Sequence, residues 1–149
     1  MITKLLSLLF ALVLILSSCG SGSALQQNRA KWEGQNVNHY RFTVVASCFC
    51  IFAGAEATYE VQNGQIVNES IQAAPDREFE PAAGSEFYQP YNTIEKVFDY
   101  VEKATNEADQ VTVEYDPTYG FPANVSVDWA TQAADDELYL TLSNFEALE

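Results

Sequence analysis

Apolar and polar residues change their period along the chain, and each period predicts one kind of element. From Val37 the period is two. Tyr40, Phe42, Val44 and Ala46 share one side, while His39, Arg41, Thr43 and Ser47 share the other. Successive side chains of a strand point to opposite faces, so this segment reads as a half-buried strand. Ala57, Tyr59 and Val61 alternate with Thr58, Glu60 and Gln62 in a second strand, and Asn63-Gly64 follows. Asn-Gly tolerates the positive φ that a type I′ turn needs at both central residues. A two-residue hairpin then sets Val61 opposite Ile66, with a returning strand over residues 65–71.

Two segments carry the helical period. Residues 24–36 have a sparse stripe of Leu25 and Trp32, and Gly34 and Asn36 offer a stop. Ile94, Val97, Phe98 and Val101 recur at i, i+3, i+4 and i+7 behind Asn92, a cap with Glu95 as its reciprocal partner. Between them, residues 73–90 hold Pro75, Pro81, Gly84 and Pro90 among acidic residues and read as a long surface loop. The last third returns to period two, around Val111 to Tyr115, Ala123 to Trp129 and Leu138 to Leu142. The order is helix, three strands, helix, three strands. Short connections favour antiparallel neighbours, so the expectation is an α+β domain: a sheet of five to six strands with two helices on one face.

The N-terminal segment has a different logic. Lys4 precedes a run from Leu5 to Leu16 that is apolar except for Ser7. The run is shorter than the ~20 residues that span a bilayer and has the layout of an export signal. Leu16-Ser17-Ser18-Cys19 resembles the bacterial lipobox, in which the cysteine becomes the lipid-bearing N-terminus. The expected organisation is a signal peptide over residues 1–18, a lipidated Cys19 with a Gly/Ser tether over residues 19–23, and one domain over residues 24–149. Such a chain is exported and held to the membrane through its lipid. Gly20 after the cysteine favours the periplasmic side of the outer membrane where the host has two membranes.

Charge narrows the partners. Twenty-one acidic residues against seven basic ones give a net charge of −14, which repels nucleic acid. Where charge matters, a protein or small-ligand partner is cationic. Nine Phe, eight Tyr and two Trp supply enough apolar surface for a core, so the charge does not imply disorder.

Three features could carry chemistry. Cys48-Phe49-Cys50 continues the even-numbered face of the first strand, which would aim both thiols at the core. Two residues of strand separate their Cα atoms by roughly 6.6 Å, at the upper limit for a disulfide. Chain entropy credits so short a ring with roughly 1.6 kcal/mol, against about 3 kcal/mol for a 15-residue loop. A structural or incidental disulfide, buried free thiols, and a soft-metal or redox site all remain open. His39 lies on the opposite strand face, which disfavours a Cys–His pair. Asp116, Asp128, Asp135 and Asp136, with Glu137, lie in or beside the last connections and are weak candidates for a hard cation; their spacing matches no EF-hand. Asp116-Pro117-Thr118-Tyr119-Gly120-Phe121-Pro122 reads as a rigid hairpin loop that could present Tyr119 and Phe121 to a partner. No nucleophile elbow or phosphate-binding loop is present. The expectation is a non-enzymatic binding or structural module without a cofactor, with metal handling at Cys48 and Cys50 or at the carboxylates as the alternative.

These motifs together are similar to one bacterial family. Asn38-His39-Tyr40-Arg41-Phe42, Cys48-Phe49-Cys50 and Val61-Gln62-Asn63-Gly64-Gln65-Ile66 carry the likeness, as do Thr93-Ile94-Glu95-Lys96-Val97-Phe98, Tyr115-Asp116-Pro117 with Gly120-Phe121-Pro122, and Asp128 with Asp135-Asp136-Glu137. The chain resembles domain-of-unknown-function family 6174 over nearly the whole domain. That resemblance implies an exported, often lipid-anchored protein with a shared α+β fold. It implies no activity or catalytic residue.

Overall fold

The computed structural model describes residues 23–149. The expected signal segment, Cys19 and the first residues of the expected tether therefore lie outside the described residues. Ser23, assigned to the tether from sequence, caps the first helix: its hydroxyl accepts from the Gln26 N–H, and the Gln26 side chain accepts from the Ser23 N–H. This capping box starts α1, Ala24–Gly34.

A six-stranded antiparallel sheet follows, made of β1 (His39–Cys48), β2 (Glu56–Gln62), β3 (Gln65–Gln72), β4 (Gln110–Tyr115), β5 (Pro122–Asp128) and β6 (Glu137–Ala147). Its spatial order is β3-β2-β1-β6-β5-β4. Each half is a meander, and the pairing of β1 with β6 joins the halves at the centre. The hairpin after Gln62 has the anticipated form: Asn63 and Gly64 both have positive φ, and Val61 faces Ile66 across the turn.

Parity in β1 decides the core. Tyr40, Phe42, Val44 and Ala46 are buried, as are Ala57, Tyr59 and Val61 of β2 and Leu138, Leu140 and Leu142 of β6. The stripe of Ile94, Val97, Phe98 and Val101 on α3 (Ile94–Glu107) packs over them. Burial of side chains this size stabilises by roughly 1.5–3 kcal/mol each, which makes this stripe the main cover of the sheet. Glu95 ties the two layers together. Its carboxylate accepts from Trp32 Nε1 at 3.0 Å and from the Tyr40 hydroxyl at 2.9 Å, while Tyr40 accepts from the Ile94 N–H.

The helix count differs from the two expected. Residues 73–90 are not a structureless loop: they contain α2, Pro81–Tyr88, and a short 3₁₀ turn, Gln89–Tyr91. Pro81 sits at the start of α2, where its missing N–H has no intrahelical partner to lose. Gly84 is buried, and a Cβ there would stand 2.6 Å from Phe79 Cε2, so only glycine lets the helix lie this close. The cap of α3 also moves by one residue. Thr93 accepts from the Lys96 N–H, and Asn92 instead takes the Lys96 ammonium at 2.9 Å.

Two buried tyrosines separate packing from hydrogen bonding. The Tyr88 hydroxyl accepts from Ala46 N–H at 3.2 Å and donates to the Ala55 carbonyl at 2.7 Å. The Tyr59 hydroxyl is buried with no partner. Removal of one member of a satisfied buried pair costs about 1–3 kcal/mol, whereas removal of an orphan costs nothing in bonds. Urea unfolding of the full-length protein is expected to show Tyr88→Phe destabilised by that amount and Tyr59→Phe unchanged or more stable. Equal losses for the two variants would contradict the assignment.

Candidate functional site at the β1–β2 tip

β1 ends at Cys48, and residues 49–55 turn the chain back into β2. Three sets of contacts hold the base of this tip. Gly54 N–H donates to the Ala46 carbonyl at 2.8 Å, and the Tyr88 hydroxyl bridges Ala46 and Ala55 from α2. Phe52 turns inward, stacked on Phe87 at 4.4 Å and edge-on to Phe79 at 5.0 Å. Arg77 Nη1 donates to the Cys50 carbonyl from the segment before α2.

The tip therefore has an inner and an outer side. Phe49 is 82% exposed and Ile51 56% exposed, the two most exposed large apolar side chains among the described residues. Ser47, the last odd-numbered residue of β1, is exposed on the open face, and Phe49 and Ile51 follow where the chain turns away from the sheet. Tyr139, 52% exposed, pairs with Ser47 across the β1–β6 ladder and extends the same face. The alternation of β1 stops at Cys48, so no local pattern in the sequence marks Phe49 or Ile51 as exposed.

Cys48 and Cys50 are joined as a disulfide with Cα atoms 5.3 Å apart. The separation is below the extended-strand value because the chain bends immediately after Cys48. The bend also corrects the expectation that both cysteines face the core. Cys48 packs against it, while Cys50 leaves the strand and stands half-buried at the tip. Both cysteines, with Phe49, Ile51 and Arg77, line a depression of about 270 Å³. His39 sits at the other end of β1, its Nε2 2.7 Å from Glu60.

The loop of Tyr119 and Phe121 is not an aromatic display. Phe121 is 3% exposed and meets Trp32 edge-on at 6.2 Å; Tyr119 is half-buried and packs on Phe145 at 4.6 Å. α1 covers the loop. Gly120, at φ +87°, lies so close that a Cβ would come within 2.8 Å of the Asn28 carbonyl, and Lys31 Nζ donates to the Pro117 carbonyl. The motif is a docking point for α1.

The carboxylates also separate. Asp116 accepts from the Thr118 and Tyr119 N–H groups, an Asx turn that explains its presence. Asp135 is an exposed turn residue with φ of 71°. Asp128 and Asp136 are close enough to interact, each with one buried oxygen that has no partner. Desolvation first, then the negative charges of Asp136, Glu137 and Asp109, raise the Asp128 pKa above the ordinary carboxylate range. Among the described residues, no group of three or more His, Cys, Asp or Glu is arranged to hold a metal ion. A second cavity of about 460 Å³ is lined by Tyr91, Lys96, Asp99, Tyr100 and Lys103. Its cations are already engaged, Lys96 with Gln89 and Asn92, and Lys103 with Glu107.

A raised carboxyl pKa in the folded state means the native protein favours the proton more than the unfolded chain does. Folding stability from Asp128 is then full below the unfolded pKa, near 4, and declines as pH rises through the folded value. Asp128→Asn is expected to raise the thermal midpoint at pH 7 and to lose that advantage at pH 3–4. An unchanged difference between the two pH values would show that the repulsion is absent.

A protein-family description, "Family of unknown function (DUF6174)", matches residues 24–147. The match takes in α1, the whole sheet, the tip and both other helices. Comparisons with curated proteins and with solved structures give no match. The chain belongs to the family of unknown function DUF6174.

Proposed function

We propose that this protein is an exported, lipid-anchored binding module that engages a partner protein through its β1–β2 tip. One observation carries the reading: Phe49 and Ile51 stand exposed on a turn whose base is pinned by Tyr88, Phe52 and Arg77. A monomer gains nothing from holding two large apolar side chains in water. A rigid turn that does so loses little entropy when a partner covers them.

Charge qualifies the partner. β1 ends beside the start of β6, where Cys48 pairs with Leu138, so the tip shares its end of the sheet with Asp128, Asp136 and Glu137. A segment with apolar residues and nearby lysine or arginine suits both parts of that surface. The lipid anchor rests on the Leu16-Ser17-Ser18-Cys19 motif. Among the described residues no helix is long and apolar enough to cross a membrane. Tyr40, near the anchoring point of α1 on Trp32, and Cys48 lie toward opposite ends of β1, about 26 Å apart at roughly 3.3 Å per residue.

Two measurements on the full-length protein in its host test the reading. Cys19→Ser is expected to move the protein from the membrane fraction to the soluble fraction; retention in the membrane would remove the anchor. A photo-crosslinking residue at position 49 is expected to give a discrete protein adduct, with none from position 112 on the sheet's open face. Identical patterns from the two positions would remove the tip as the binding surface.

A further inference from the structure

We infer that the Cys48–Cys50 disulfide is a thiol–disulfide exchange site, and that its partner is an extended polypeptide segment carrying a cysteine pair beside apolar residues. The site lies on the docking surface proposed above, and its choice of partner rests on that reading; the exchange chemistry itself does not.

The first argument is that the bond is superfluous as a staple. The tip is already closed by the Gly54–Ala46 hydrogen bond, by the Tyr88 bridge and by Phe52 between Phe79 and Phe87. A crosslink between cysteines separated by 2 in sequence removes almost no freedom that these contacts leave.

The second argument is access. Both cysteines line an open depression whose other walls are Phe49, Ile51 and Arg77. Cys48 is packed against the core, whereas Cys50 lies past the end of the strand between the two exposed apolar side chains. Cys50 Sγ is therefore the atom a partner thiolate meets.

The third argument is electrostatic. Arg77 is one of only seven basic residues in the chain, and no carboxylate lines the depression. Its guanidinium, held at this depression by the Cys50 carbonyl, contributes positive charge that favours a thiolate as the disulfide opens.

The exchange balances without another reactant. A partner thiolate attacks Cys50 Sγ; the new S–S bond forms, the Cys48–Cys50 bond breaks, and the electron pair leaves on Cys48 Sγ, which takes a proton from water. The partner's second thiolate then attacks the partner sulfur of the mixed disulfide and releases Cys50 as a thiolate. The partner is oxidised by two electrons to a disulfide, and this chain is reduced to two thiols. Phe49 and Ile51 provide the seat that holds the apolar residues beside the reacting cysteine.

The test uses the full-length oxidised protein in detergent, without oxygen, and a reduced peptide with two cysteines flanked by phenylalanine and leucine. One equivalent of peptide is expected to lose two hydrogens by mass, with a Cys48→Ser/Cys50→Ser variant as the zero. A peptide that stays reduced until the protein is unfolded in urea overturns the proposal and leaves the docking reading untouched. Phe49→Ser/Ile51→Ser is expected to slow exchange with the peptide about tenfold more than exchange with dithiothreitol. If the two rates change by the same factor, the exchange stands and the docking reading falls. With oxidised peptide, reduced Cys48→Ser is expected to trap about tenfold more mixed disulfide than Cys50→Ser, because Cys50 stands at the tip whereas Cys48 packs against the core. Equal trapping overturns the assignment of Cys50 as the attacked sulfur.

Discussion

The pairing of β1 with β6 is the constraint on which the rest of the structure depends. It joins the first strand to the last, so the two meanders become one sheet only when nearly the whole domain has been made and brought together. Such a contact is entropically costly to close and must be offset by burial. Ala46 against Leu140 and Val44 against Leu142 supply that burial on the helix-covered face. A slip of one residue would turn every one of these side chains to water, which is why the register holds. Near Arg41 the register does shift, and Asn144 takes a positive φ in the irregularity.

The same pairing places the candidate site. Because β6 begins where β1 ends, the β1–β2 tip and the acidic β5–β6 connection meet at one end of the sheet. Helix α2 then reaches this end and clamps the base of the tip through Tyr88 and Phe87. Exposed apolar groups on a fixed support and carboxylates on the next two strands therefore lie at the same end of the sheet. At the other end, α1 seals the core with Trp32 and covers the Tyr119–Phe121 loop. The two ends thus differ in kind: at one a helix covers the aromatic loop, and at the other Phe49 and Ile51 are left exposed.

Much of this was legible from period and turn chemistry. The alternation in β1, β2, β5 and β6, the Asn63-Gly64 hairpin and the stripe of α3 are local properties, dictated by side-chain direction and by which residues tolerate positive φ. Helix α2 was hidden because its two turn-breaking signals, Pro81 and Gly84, serve there as a helix start and as a close-approach site. The positions of Phe79 and Ile71 leave no room there for a Cβ. Glu95 likewise looked like half of a capping box, until folding brought Tyr40 and Trp32 within reach as better partners for its carboxylate.

What the sequence by itself determined was the sidedness of each strand, the existence of the main helix and the acidic balance, because each is set by neighbours along the chain. Only the tertiary structure decided which aromatic residues face water. Phe121 and Phe49 both sit in short connections next to strands, yet one is sealed beneath α1 and the other stands open. The difference lies in what packs above them. A helix carrying Trp32 covers the first, while at the tip Phe52 takes the inward place against Phe79 and Phe87 and leaves Phe49 outside. Burial is a property of contacts between distant segments, so no window of local sequence could have told these two phenylalanines apart.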